Sequence, residues 1–169
     1  MVNNVQLTPL EALGVAIKAE IEAAETYERL AHLVKNRALK EKAHFLRGEE
    51  LKHRTLLEEA YAAQFPDVEL VLPAHSLVPR VEAALEGEVS VPELLALAME
   101  AEQASERFYA DLARRSQSGS ARAMFQHLSR MENSHFHLLQ VEHDLVTQFP
   151  DYYNVEEFHF GDEFIHLGP

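Results

Sequence analysis

Residues 46–57 read LRGEELKHRTLL and residues 128–139 read LSRMENSHFHLL. Both stretches repeat apolar residues at steps of three and four, the period of a helix buried along one face. Both break that apolar face at the same place with the same pair, Glu50 with His53 and Glu132 with His135. Upstream, AEIEAAETYERLA at Ala19–Ala31 is echoed by AEQASERFYADLA at Ala101–Ala113, again with an acid on the apolar face. The shift is 82 residues in both comparisons, and each half closes on Gln-Phe-Pro-Asp, at Gln64–Asp67 and Gln148–Asp151. A duplicated helical hairpin accounts for this, and it predicts a pseudo-two-fold axis through the centre of a four-helix bundle.

The ends of the elements can be read outward from these stretches. Thr8-Pro9-Leu10-Glu11 is a helix start, with Thr as N-cap, Pro in the first helical position and Glu closing a capping box; Ser90-Val91-Pro92-Glu93 repeats it. Phe65-Pro66-Asp67 and Phe149-Pro150-Asp151 are stops, and Ser116–Ser120 is a turn. Four long helices are expected at about 8–35, 37–64, 91–115 and 120–148, with boundaries good to about 2–4 residues. The connection from Pro66 to Val89 is long, with a short helix expected around Leu77–Leu85. A single all-α domain is expected over 1–169, with the bundle at about 8–148 and an aromatic, non-helical tail over 149–169.

The core stripes carry the chemistry. They read Leu10, Leu13, Ile17, Glu20, Ala24, Tyr27, Ala31, Val34 in the first helix and Ala43, Leu46, Glu50, His53, Leu57, Ala60 in the second. In the third they read Leu95, Met99, Glu102, Glu106, Tyr109, Ala113, and in the fourth Phe125, Leu128, Glu132, His135, Leu139. Each is apolar except near its middle. Four core carboxylates would destabilise a fold by several kcal/mol if left unpaired, and would repel one another. Divalent cations among them reverse the sign of that energy.

Height along the bundle agrees. Glu20 and Glu50 are equidistant from Lys35, and Glu102 and Glu132 from Gln117, each midpoint lying in a hairpin turn. At 1.5 Å per residue every acid sits about 20 Å from its turn, so all four share one layer. His53 and His135 follow their acids by three, on the same face. Glu20, Glu50, His53, Glu102, Glu132 and His135 are therefore the candidate ligands of a two-metal centre. Glu50 and Glu132 are expected to bridge, with Glu20 and Glu102 terminal. Carboxylates with one imidazole per metal suit iron or manganese, with zinc open. Glu106 is a candidate extra or alternate ligand. Tyr27 and Tyr109 are candidates to hydrogen-bond a ligand carboxylate or, equally, ordinary core aromatics. The remaining histidines are expected at the surface.

Composition removes other chemistries. Hydrophobic residues make up 47% and charged ones 25%, ordinary for a globular chain. There is no Cys, which excludes disulfides, iron–sulfur clusters and thiol catalysis. The formal charge of −13 argues against nucleic acid. No apolar run reaches the roughly 20 residues of a membrane span. The opening MVNNVQLTPLEAL lacks the features of a signal peptide, so a cytoplasmic protein is expected.

Glu20 with Tyr27, Glu50-Leu51-Lys52-His53, Glu102 with Tyr109 and Glu132-Asn133-Ser134-His135 resemble the ferritin-like superfamily, on its rubrerythrin and bacterioferritin side, over about residues 8–148. The resemblance implies a ferritin-like four-helix bundle and a di-iron centre that reacts with hydrogen peroxide or dioxygen. The departures are informative. Rubrerythrins proper carry a four-cysteine rubredoxin domain, which this chain lacks, so an external electron donor such as a rubredoxin-like protein is expected. They also carry an extra Glu at the position held here by Ser105. Leu51 stands where bacterioferritins carry a haem-ligand Met, so no haem is expected. A homodimer or higher homo-oligomer is expected. The leading expectation is a peroxidase or oxidase. A ferroxidase or iron-handling protein, and a non-catalytic bundle binding zinc or no metal, stay open; a manganese catalase shares the bundle but orders its last-helix ligands differently.

Overall fold

The computed structural model describes residues 7–77 and 90–153. Four helices follow in order: α1 Pro9–Leu33, α2 Arg37–Gln64, α3 Val91–Arg115 and α4 Gly119–Gln148, within a residue or two of the sequence expectation. Local chemistry fixes their ends. Thr8 and Ser90 form complete capping boxes with Glu11 and Glu93. Asn36, buried at the first turn, accepts from the Leu39 amide at 3.1 Å and so starts α2. Phe65 and Phe149 end α2 and α4 just before a proline. Pro150–Tyr153 adds one turn of 3-10 helix where no helical structure is expected from sequence. The short helix expected around Leu77–Leu85 and the tail beyond Tyr153 lie outside the described residues.

Two apolar clusters fill the bundle, one toward each end. One joins Tyr27 and Leu30 of α1 and its C-cap Val34 to Leu39, Ala43 and Leu46 of α2, Leu94, Leu95 and Ala98 of α3, and Leu139 and Val146 of α4. The other joins Leu13, Ala16 and Ile17 of α1 to Leu57 and Tyr61 of α2, Tyr109 and Ala113 of α3, and Phe125 and Leu128 of α4. The first cluster thus takes the C-terminal halves of α1 and α4 and the N-terminal halves of α2 and α3. It follows that α1 runs antiparallel to α2 and α3 and parallel to α4. The hairpins α1–α2 and α3–α4 form the closest pairs, and the parallel step from α2 to α3 is why the connection between them must be long.

That connection climbs back along α1. The carbonyl oxygen of Val71 would lie 3.6 Å from a Cβ at Gly14. Leu70 and Leu72 pack on the second cluster, and the Ser76 amide and hydroxyl donate to Glu22. Every stripe position from Leu13 to Val34 is buried as expected. In α3 the inward face is rotated slightly. Spacing alone expects Met99 and Glu106 inward, whereas Ala98 and Ser105 are buried and Met99 and Glu106 are half-buried. A period of 3.6 permits either choice of three-residue or four-residue step, and packing decides between them.

Candidate metal centre

Between the two apolar clusters lies a polar layer. Glu20, Glu50, His53, Glu102, Glu132 and His135 meet there, none more than 4% exposed. All six candidate ligands are brought together, one acid from α1 and α3 and one Glu-x-x-His pair from α2 and α4. Their ligand atoms form two groups, each within 4.8 Å: Glu20, Glu50, His53 and Glu132 in one, Glu50, Glu102, Glu132 and His135 in the other. Glu50 and Glu132 belong to both. The pseudo-two-fold axis runs between the imidazoles, which stack with centroids 5.4 Å apart and planes 16° apart.

The histidines turn Nδ1 toward the acids. His53 Nδ1 lies 3.1 Å from Glu132, 3.2 Å from Glu50 and 3.3 Å from Glu20. His135 Nδ1 lies 3.0 Å from Glu50 and 3.6 Å from Glu102. For His135 these are distances without hydrogen-bond alignment: among the described residues neither of its buried ring nitrogens has a hydrogen-bond partner.

Two tyrosines complete the layer in a way the sequence spacing does not specify. Tyr27 donates its hydroxyl to Oε1 of Glu102, and Tyr109 donates to Oε1 of Glu20. Each phenol thus serves the acid of the opposite hairpin. The geometry explains it: helical side chains lean toward the N-terminus, so a Tyr two turns beyond the acid reaches back into the polar layer and across to its neighbour. Burial raises both phenol pKa values well above their ordinary range, and the carboxylate charges raise them further, so both remain donors.

With Oε1 held by a phenol, Oε2 of Glu20 and Oε2 of Glu102 are buried without a hydrogen bond among the described residues; so are Oε1 of Glu50, Oε1 of Glu132 and both ring nitrogens of His135. Buried acceptors with no donor are costly and rare. One orphaned oxygen on each of four acids is the donor set a divalent cation completes, and two shared acids let the groups hold a pair. Without a cation, burial and the Glu132 charge push the Glu102 carboxyl up to about 8. Burial and Glu132 raise Glu20 well above the usual range too. Burial opposes a proton on His53, but Glu132, Glu20 and Glu50 outweigh it and hold that imidazole up to about 12. His135 is raised in the same way by Glu102, Glu132 and Glu50. Protons and cations compete for one set of charges.

A family model described as rubrerythrin matches residues 11–142. The chain belongs to the rubrerythrin family. This rubrerythrin-family fold is shared with a hypothetical protein of Pyrococcus furiosus, at TM-score 0.77 and 32% identity, over 87% of this chain and 95% of that one. An uncharacterised conserved protein of Magnetospirillum magnetotacticum has the same fold at TM-score 0.63 and 19% identity, over 82% of this chain and 95% of that one. No curated protein matches the chain. Buried Glu and His groups that could hold metal are therefore set in a fold whose family usually binds two irons.

Glu106 is half-buried and belongs to neither ligand group; Ser105 takes the buried position one turn after Glu102. Of the other histidines, His32, His44, His75, His127 and His137 are exposed and His143 is half-buried, while His159 and His166 lie outside the described residues. One buried acid goes unread by a stripe that stops at Leu139: Glu142, 1% exposed, paired with Lys42 of α2. Its signal is positional, seven residues after His135 on the same face. No helix among the described residues is long and apolar enough to cross a membrane.

Proposed function

We propose that this protein is a di-iron oxidoreductase that reduces hydrogen peroxide. The single observation that carries the reading is the pair of four-ligand groups sharing Glu50 and Glu132. In this reading Glu50 and Glu132 would serve both metals, Glu20 with His53 one of them, and Glu102 with His135 the other. A ferrous pair held by these residues would supply two electrons for peroxide reduction.

The chain's own residues set the conditions for that chemistry. Tyr27 and Tyr109 hold Oε1 of Glu102 and Glu20 and so aim the free Oε2 atoms inward. The acids around His53 and His135 raise the proton affinity of both imidazoles, so protons and a metal would compete for their ring nitrogens. The apolar clusters on either side keep bulk water from the layer. With no Cys in the chain, reducing equivalents come from an external carrier.

Stopped-flow mixing of ferrous-loaded protein with peroxide and, separately, with dioxygen tests the reading. Oxidation by peroxide at least about tenfold faster than by dioxygen is expected, a difference of about 1.4 kcal/mol in barrier. Equal rates, or faster oxidation by dioxygen with release of ferric ion, would instead indicate an iron-handling ferroxidase.

A further inference from the structure

The α1–α2 turn is basic in an acidic chain. From Glu28 to Arg47 stand six lysines and arginines against two carboxylates, whereas the chain as a whole carries −13. Part of this charge is matched: Arg47 pairs with Glu28 at 2.6 Å, Arg37 with Glu41 at 2.9 Å, and Lys42 with Glu142. Lys35 stands exposed in the turn and Lys40 lies half-buried one turn into α2. Helix energetics do not account for the arrangement. The N-terminus of a helix favours anions, yet α2 opens with Arg37 and Lys40 and has no acid in its first turn; α4 also lacks one but has the single cation Arg122 there, while α1 and α3 open with Glu11 and Glu93. Leu33, 56% exposed, stands two residues before Lys35 in the same turn. The equivalent α3–α4 turn differs. Arg114 and Arg115 are tied to Asp111, Arg122 donates to the Ser116 carbonyl, and no large apolar side chain is exposed there among the described residues.

An exposed leucine in a turn of net positive charge fits the acidic face of a partner protein. The turn is also well placed over the centre. It lies about 20 Å from the acid layer along α1, and Tyr27, seven residues from Glu20 and eight from Lys35, is buried about midway. Its hydroxyl bonds Glu102. We propose that the α1–α2 turn is the docking surface for an acidic electron-carrier protein that reduces the centre. This rests on the oxidoreductase reading above, which requires two electrons from outside for each peroxide reduced to two waters with two protons.

The test uses reduced rubredoxin, a small acidic one-electron carrier, and dithionite as a reductant that needs no docking. The double variant Lys35→Glu/Lys40→Glu is compared with Arg122→Glu at the opposite turn. At low ionic strength the rubredoxin-driven rate of peroxide turnover is expected to fall about tenfold in K35E/K40E, with less sensitivity to added salt. R122E should match the parent, and the dithionite-driven rate should be equal in all three. Equal rubredoxin-driven rates in parent and K35E/K40E overturn the proposal. If the parent shows no turnover even with dithionite, the oxidoreductase reading fails by itself. The surface is then judged by rubredoxin titration alone: weaker binding to K35E/K40E supports it, and equal or absent binding overturns it.

Discussion

The two hairpins agree where they meet and differ where they do not. In the polar layer each residue of one half has its counterpart in the other: Glu20 and Glu102, Glu50 and Glu132, His53 and His135, Tyr27 and Tyr109. Even the hydrogen bonds are exchanged symmetrically. Away from it the likeness lapses. Lys42 and Glu142 make an ion pair across α2 and α4, but their counterparts one repeat away are Met124 and Ala60. The long connection packs on α1 at Gly14 and Glu22, for which the second hairpin has Ala96 and Ala104. Packing accepts many apolar solutions of similar volume. A cluster of buried acids accepts few, because every member must be matched by charge.

If the halves are equivalent at the centre, Glu50→Ala and Glu132→Ala should fail alike. Each removes an oxygen from both ligand groups, so metal per chain and peroxide turnover should both fall by roughly 100-fold or more, beyond the 10–100-fold usual for supporting residues. Metal analysis and stopped-flow rates would show it; a large difference between the two variants breaks the symmetry. Tyr27→Phe and Tyr109→Phe should come next. The ring is kept, the opposite acid loses its donor, and metal affinity should drop about 10-fold in each. Competition with a chelator measures this, and an unchanged affinity would reduce the tyrosines to core aromatics.

The asymmetric end offers the converse test. Lys42→Met removes a cation from the buried Glu142 and should cost about 2 kcal/mol in urea unfolding, below the usual range for a buried pair because Lys42 is half-exposed. Adding Glu142→Ala copies the Met124 and Ala60 solution of the other end and should recover most of that loss. Failure to recover would mean that the pair does more than fill its place.

The centre should also govern pH dependence. Without metal, Glu102 titrates near about 8 rather than 4.5. A raised carboxyl favours folding while it is protonated, and that contribution is lost as pH rises from 4.5 through about 8. His53 has the same sign, with stability present below 6.5 and lost toward about 12. The metal-free melting temperature should therefore fall between pH 6 and pH 9. Added ferrous ion or manganese should raise it by about 3 °C more at pH 9 than at pH 6. A gain independent of pH would mean that cations do not displace those protons. The smallest effect expected is at Gly14, where a Cβ would meet Val71 and Pro73 at ordinary contact distance, 3.6 Å and 3.9 Å. Gly14→Ala, which copies the Ala96 of the other hairpin, should stabilise α1 by about 0.5–1 kcal/mol.

Much of this was legible in the sequence because it rests on period and spacing. Equal arms from Glu20 and Glu50 to Lys35, and from Glu102 and Glu132 to Gln117, place four acids in one layer without any tertiary information. The caps at Thr8 and Ser90 announce their helices. Ser105 was not separable from Glu106, because a third of a turn decides which faces inward and packing sets that rotation. The exchange of tyrosines between hairpins depends on which neighbour each ring reaches, which no one-dimensional stripe contains. Glu142 was hidden for a related reason: a lone acid on an apolar face gains meaning only when its partner, Lys42, is known to lie opposite.

The central claim is a pair of metals shared by the two halves. Elemental analysis together with an anomalous-scattering map of metal-loaded crystals tests it most directly. Two peaks per chain are expected, about 3.5–4 Å apart as in other two-metal sites, with Glu50 and Glu132 contacting both. A single peak off the pseudo-two-fold axis, or no peak among these residues under saturating ferrous ion, would contradict it.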